Sequence, residues 1–343
     1  MTSVVLITGV SRYLGGRMAR ILTAEPGIDR VIGVDVVPPR QDIGGAEFVR
    51  ADIRNPIISK VIRAASVDTV LHMGVIATPV QAGGRMSMKE INVIGTMQLL
   101  AACQKAPTLE KLIVKSTTAV YGSGPKDPAM FTEEMQPKHP PSSGWAKDSV
   151  EVGGYVRGFA RRRPDVAVTK LRFANFFGPT VDTPMTAYFS LPVIPTVLGY
   201  DARLQFIHED DGLEVLRRAV IEDHPGTFNI AADGVLLLSQ AARRAGRPIL
   251  PIPVPFASLV GAAFRRAGMA DFSPEQIRFL TYGRGVDTTR MREVFGFTPQ
   301  HTTAETFDEF MLSRNTPRLL PPEKIESAER HVVSLLGGGR AHA

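Results

Sequence analysis

The chain has 343 residues, 44% hydrophobic and 22% charged, which suits one large α/β domain or such a domain with a smaller cap and excludes a disordered chain. Its net charge of +6 is mild and forms no basic stripe with interleaved aromatics, so nucleic-acid binding is not indicated; the run Arg161–Arg163 reads as a solvated helix C-terminus. The single cysteine, Cys103, rules out a disulfide within the chain and fits a reducing, cytoplasmic setting.

The opening "VVLIT" (4–8) is a continuous apolar, β-branched run, as expected of a strand buried on both faces. The residues before it lack a basic stretch and a small-residue cleavage site, so they are not read as a signal peptide. A glycine-bearing turn and a helical stretch follow, then "RVIGVD" (30–35), a second strand ending in an acid. Strands are predicted again at 46–53, 68–74, 111–117 and 166–173, with helices at 55–65, 86–105 and 144–162 between them. This alternation predicts a doubly wound parallel sheet, a Rossmann-like α/β fold.

After Asn175 the texture changes, and residues 178–205 and 248–256 are proline-rich and irregular, as suits a smaller C-terminal substrate lobe. Residues 204–220 predict a strand and a helix returning to the main sheet, and 226–231 another short strand. The division expected is an NAD-binding domain at 1–175 with 204–231 returning to it. The lobe takes 176–203 and 232–313, and the tail 314–343 ends in a short amphipathic helix at 323–336. No run reaches the roughly 18 apolar residues that span a bilayer. The apolar stretch 254–264 reads as a buried helix in preference to a membrane-surface one.

"TGVSRYLGG" (8–16) joins the first strand to the first helix, where backbone N–H groups and the helix dipole favour a pyrophosphate. Asp35, ending the second strand, is placed to bind an adenosine ribose. Further segments follow in order: "ADI" (51–53), "LHMGV" (71–75), "NVIGT" (92–96), "STTAVYG" (116–122), "LRFANFFGP" (171–179), "FIHEDD" (206–211) and "GTFNIA" (226–231). From about residue 4 to about 300 this series resembles the extended short-chain dehydrogenase/reductases, the NAD-dependent epimerases and dehydratases, and is nearest in pattern to the UDP-glucose 4-epimerases.

That resemblance implies a cofactor site of Gly9, Ser11, Arg12, Tyr13, Leu14, Asp35, Asp52, Ile53, Met73, Gly74, Val75, Asn92, Ser116, Lys147 and Phe173. It implies a catalytic group of Thr117, Lys147 and Ser143, with Thr117 and Asn175 facing a nucleotide-sugar. It also implies a homodimer joined through the helices at 86–105 and 144–162. No metal site is expected.

Two departures stand out. The middle glycine of the turn is Arg12, whose side chain hinders close approach to a pyrophosphate. Arginine here can favour NADP in the shorter branch of the superfamily, yet Asp35 would repel a 2′-phosphate, so NAD is expected. The second departure is Ser143, which stands where the resemblance places a tyrosine four residues before Lys147. A phenol near pKa ~10 can be tuned into an acid/base, whereas a serine needs a partner to act as one. Thr118 and Ala119 stand where dehydratases carry an acidic pair, so dehydration is disfavoured. His139 is the nearby side chain with a suitable pKa, although an exposed loop histidine is its plainer reading. Tyr121 is expected near the substrate, Tyr155 away from it, and Trp145 on another face of its helix.

The reading is therefore an NAD-binding oxidoreductase or epimerase (an isomerase) acting on a nucleotide-sugar-like substrate. Its rival is a non-catalytic dinucleotide-binding sensor or assembly protein on the same fold. A third, an enzyme for a hydrophobic alcohol, rests on the apolar segment 252–264.

Overall fold

A computed structural model of the chain describes residues 3–74, 76, 83–256, 259, 261–262 and 273–314. Its strands are β1 (Val4–Thr8), β2 (Arg30–Asp35), β3 (Glu47–Arg50), β4 (Thr69–His72), β5 (Lys111–Thr117), β6 (Ala167–Phe173), β7 (Asn175–Phe177), β8 (Ile194–Val197), β9 (Arg203–Leu204), β10 (Phe206–His208), β11 (Gly226–Ile230), β12 (Leu236–Leu237) and β13 (Ile249–Ile252). Seven of them form one sheet in the order β11-β6-β5-β4-β1-β2-β3. Every pairing in it is parallel. The chain is thus a doubly wound, Rossmann-like α/β protein.

The buried, β-branched runs explain the sheet: all five residues of β1 and all four of β4 are buried. Alternate strand residues feed two cores. Val5, Ile7, Leu71 and Ile113 pack beneath α1 (Tyr13–Thr23) and, further along the chain, the helix Glu209–Ile221. Leu6, Val70, Leu112 and Val114 pack on the other side, against α2 (Ile57–Ala64), the helical run from Arg85 and the long helix Gly144–Arg162.

The helix predicted over 86–105 comprises α3 (Arg85–Lys89), a π-helical stretch at Glu90–Gly95, and α4 (Thr96–Gln104). The wide turn accompanies a buried polar clasp. Asn92 accepts from the Ile76 N–H at 2.8 Å, donates to its carbonyl at 3.0 Å, and reaches Asp148 at 3.2 Å. The long helix, α5 (Gly144–Arg162), matches its predicted bounds.

The prediction for 204–220 is corrected in part. β10 does not join the main sheet; it pairs with β7 in a two-stranded ladder. Phe206 and Phe177 instead serve a separate aromatic core, with ring centroids 4.0 Å apart. That core lies under α6 (Pro184–Phe189), α8 (Leu238–Arg244) and the last helix, Thr303–Ser313. The helix α7 (Glu209–Ile221) does return to the sheet, packing on α1 and β5. β11 takes the sheet edge beside β6, as expected of a strand at 226–231.

Of the buried helix expected at 254–264, the described residues are helical, while the expected burial is corrected. Of its described residues, Val254, Phe256 and Leu259 are more than half exposed, at 57%, 56% and 67%. The remainder of that segment and the tail helix at 323–336 lie outside the described residues. Among the described residues no helix is long and apolar enough to cross a membrane.

Candidate active site

The predicted residues gather along the edge where the parallel strands end, the usual ligand crevice of an open α/β sheet. β1 runs into a turn in which the Arg12 N–H donates to the Gly9 carbonyl at 3.2 Å, and Arg12 then caps α1. Gly15 explains how tightly that helix starts: a Cβ there would sit 2.2 Å from the Gly9 carbonyl oxygen. Gln41 closes the outer side by donating to the Arg12 and Tyr13 carbonyls, at 2.7 and 3.1 Å. The Ser11 hydroxyl bonds the Val37 carbonyl. Leu14 packs against the core below. The Tyr13 hydroxyl is bonded to Thr180 and Arg17.

Asp35 accepts from the Ser11 N–H at 3.2 Å and the Val36 N–H at 2.8 Å, which aims its carboxylate at the turn. Burial lowers the Arg12 pKa while the Asp35 charge opposes that shift. Asp52 grips Arg54 through both oxygens, at 2.6 to 3.1 Å, and this pairing holds its carboxyl below the ordinary range. Ile53 lies against the π-helical stretch, where a Cβ on Gly95 would meet it at 2.8 Å.

The floor of the crevice holds two groups that sequence reasoning missed, a half-buried lysine and a buried histidine. Lys115, two residues before Thr117 on β5, has its ammonium 5.2 Å from the Phe176 ring centroid and no hydrogen-bonded partner among the described residues. Burial, and then the Arg12 charge, bring its pKa down to about 8. His72 lies between two hydroxyls, Thr8 at 2.7 Å and Thr96 at 2.9 Å, and burial followed by the Lys115 charge lowers its pKa to about 4. The signal for Lys115 was its position, since an inward-facing lysine on a central strand demands an anion or a cost.

Met73, Ser116 and Phe173 are buried at this edge, and Gly74 adopts φ +80 where a Cβ would meet the Lys115 carbonyl oxygen at 2.2 Å. Val75 lies outside the described residues. The site fits a dinucleotide: the N-terminus of α1 at the turn, two cations without a bonded anion among the described residues, and a carboxylate suited to a ribose diol.

At the other end of the crevice, the Thr117 hydroxyl accepts from the Ala119 N–H at 3.1 Å and keeps its proton free to donate. Asn175 begins β7 and lines a small cavity with Ala119, Trp145, Glu275 and Arg284. Trp145 faces this cavity, and Ser143 is not among its lining residues. Ser143 is extended at φ −148, and Gly144 takes φ +65, a left-handed conformation suited to glycine.

The Ser143 side chain thus leaves the helix before the regular spacing that leads to Lys147 begins. Its hydroxyl donates to Glu275 at 3.3 Å, while the exposed Lys147 is linked to it through the backbone, Lys147 N–H to Ser143 carbonyl, at 3.3 Å. His139 is exposed, the plainer of its two readings. The Tyr121 phenol is buried away from the cavity, bonded to Asn229 at 2.8 Å and Arg172 at 2.5 Å, and burial raises its pKa. Tyr155 is exposed further along α5.

An uncharacterised protein of Mycobacterium tuberculosis is 49% identical over 97% of this chain and 89% of its own length. Among solved structures, a UDP-glucose 4-epimerase of Thermotoga maritima with UDP-glucose shares the fold at a TM-score of 0.70 and 19% identity, covering 91% of this chain and 98% of that one. A Thermus thermophilus UDP-glucose 4-epimerase in complex with NAD does so at 0.68 and 21%, covering 92% and 100%. The family model described as the NAD dependent epimerase/dehydratase family matches residues 5–231, and the chain belongs to that family.

Proposed function

We propose that the chain binds NAD and acts as an extended short-chain oxidoreductase or epimerase on a nucleotide-sugar-like substrate, with Ser143 in place of the family tyrosine. The observation that carries this reading is the order of groups along one crevice. An anion-binding turn floored by Arg12 and Lys115 comes first, Asp35 flanks it, and the hydroxyl of Thr117 and the amide of Asn175 stand at the far end.

Arg12 and Lys115 would neutralise a pyrophosphate, and Asp35 would accept from ribose hydroxyls, which disfavours the 2′-phosphate of NADP. Asp52, Ile53, Met73, Gly74, Asn92, Ser116 and Phe173 would shape the walls, and Lys147 would meet the second ribose. The nicotinamide, when bound, supplies a hydride acceptor. Thr117 and Asn175 would orient the substrate hydroxyl beside it. The solved UDP-glucose 4-epimerases and MoeE5, which is seen with UDP-glucuronic acid and NAD, support this substrate class. A homodimer built on the helical run from Arg85 and on α5, in the cytoplasm, completes the reading.

The turned-out cap at Ser143 and the sequestered Tyr121 favour a second reading, a dinucleotide-binding protein without chemistry. Mass spectrometry of small molecules released on denaturation, followed by mixing the protein with NAD and UDP-sugars, separates the two. Released NAD and a nucleotide-sugar, with reduced nicotinamide on mixing, support the first. Bound dinucleotide with no reduction under any UDP-sugar supports the second.

A further inference from the structure

The site lacks a phenol, yet it contains a carboxylate that the family pattern does not supply. Glu275 lies in the first turn of the helix Pro274–Tyr282, whose cap is set by the Ser273 hydroxyl accepting from the Gln276 N–H at 3.2 Å. That helix brings Glu275 to the cavity lined by Asn175, Ala119 and Trp145. At the exposed cap of α5, outside the lining of that cavity, its Oε1 lies 3.3 Å from the Ser143 hydroxyl, and it is the side-chain partner of Ser143 among the described residues. Glu275 lies beside Gly144, where an ideal Cβ would be in ordinary contact with its Cγ at 3.8 Å. Arg284, on the same cavity wall, is half-buried and feels the Glu275 charge. Tyr121 is committed elsewhere, and His139, exposed as Ser143 is, has no carboxylate partner among the described residues.

We propose that Glu275 is the proton acceptor of this site, reached through the Ser143 hydroxyl. The inference rests on the oxidoreductase reading above. In the oxidative step a secondary alcohol of the substrate loses its C–H hydrogen as hydride to the nicotinamide dinucleotide, and its C–O bond becomes a carbonyl. The hydroxyl proton passes to Ser143 Oγ as the Ser143 proton passes to the Glu275 carboxylate. The reverse transfer restores the alcohol on either face. A serine that donates to a carboxylate keeps its lone pairs for a substrate hydroxyl, which gives it the partner a lone serine lacks.

The test uses the full chain with NAD and UDP-glucose, with E275Q, S143A, their double variant and the conservative E275D. General acid/base catalysis is worth about 10²–10⁴-fold. Formation of reduced nicotinamide should therefore fall at least 100-fold in E275Q and in S143A, and no further in the double variant, because the two act as one unit. E275D should recover part of the rate, and E275Q should flatten the acid limb of the pH–rate profile. NAD affinity by titration and the melting temperature should be unchanged in each, which separates lost chemistry from lost structure. An active natural protein with a fully active E275Q and an unaltered pH profile overturns the role of Glu275 and leaves the oxidoreductase reading standing. No reduction by the natural protein, with NAD and UDP-glucose both bound, overturns that reading and this inference with it.

Discussion

Asp35 and Lys115 put opposite charges at the two sides of one turn, and each carries a measurable consequence. Asp35 uses one lone pair on each oxygen for the Ser11 and Val36 N–H groups, so two directions remain for ribose hydroxyls. Asp35→Ala should weaken NAD by roughly 1.5–3 kcal/mol, the range for hydrogen bonds to a charged group, and narrow the preference over NADP. Titration of both dinucleotides against both proteins reads this, and tighter NADP binding by the natural protein would assign the choice to Arg12. Desolvation at its half-buried position, and then the nearby Arg12 charge, lower the Lys115 pKa to about 8. Its charge is present below that pH and lost above it. Affinity for the cofactor's dianionic pyrophosphate should therefore fall as pH rises through about 8, and binding near that pH should take up protons. Lys115→Met should bind NAD more weakly at pH 7 and lose the pH dependence. Calorimetry in buffers of different ionisation enthalpy measures both effects.

The contact between β1, its turn and α1 depends on Gly15, and the contact between β4 and α4 on His72. Gly15→Ala places a methyl 2.2 Å from the Gly9 carbonyl oxygen, so the helix must shift. Overpacking of this kind costs about 1–3 kcal/mol, and here it also spoils the anion-binding turn. Urea midpoint and NAD affinity should fall together. His72 stays neutral when folded, with its pKa lowered to about 4, whereas an unfolded histidine titrates near ~6.5. Between those values the unfolded chain binds a proton that the folded one refuses. The stability present above pH ~6.5 is thus lost as pH falls to about 4, by about 3 kcal/mol in all. His72→Gln should reduce that acid sensitivity, read as a shallower fall of urea midpoint with pH. These elements were legible in the sequence because β1 and β4 are continuous apolar runs and the long α5 is amphipathic. The destination of 204–208 was not legible: β10 looks like a sheet strand, and only the distant phenylalanines 177, 189, 307 and 310 draw it into another core. At the site, the order of motifs located the crevice, but Gly144 was read as ordinary helix. Its positive φ, which turns Ser143 toward Glu275, depends on a partner 132 residues away.

At the scale of the whole molecule, the helical run from Arg85 and α5 pack side by side and leave large apolar side chains in solvent. Met86 is 79% exposed, Ile94 41%, Met97 37%, Val150 37% and Tyr155 40%. Scattered exposed apolar residues need no explanation, but five on two adjacent helices suggest a covered face. A second copy related by a twofold axis would lay the same two helices against them, giving a four-helix, self-complementary interface. The crevice lies along the strand ends, so a weakened interface need not disturb the dinucleotide turn. Multi-angle light scattering should show a dimer for the natural chain. Met97→Glu combined with Tyr155→Glu would force two desolvated carboxylates per subunit into that interface, and truncating a single central anchor typically costs 2 kcal/mol or more. The dissociation constant should therefore rise at least about 30-fold, at ~1.4 kcal/mol per tenfold. A monomeric natural chain, or a double variant that stays dimeric at low concentration, would place the interface elsewhere. Retained NAD binding in a monomeric variant would show that each subunit carries a complete dinucleotide site. Loss of NAD binding together with dimerisation would mean that pairing is what holds Asn92, Asp148 and the start of α5 in the arrangement the cofactor needs.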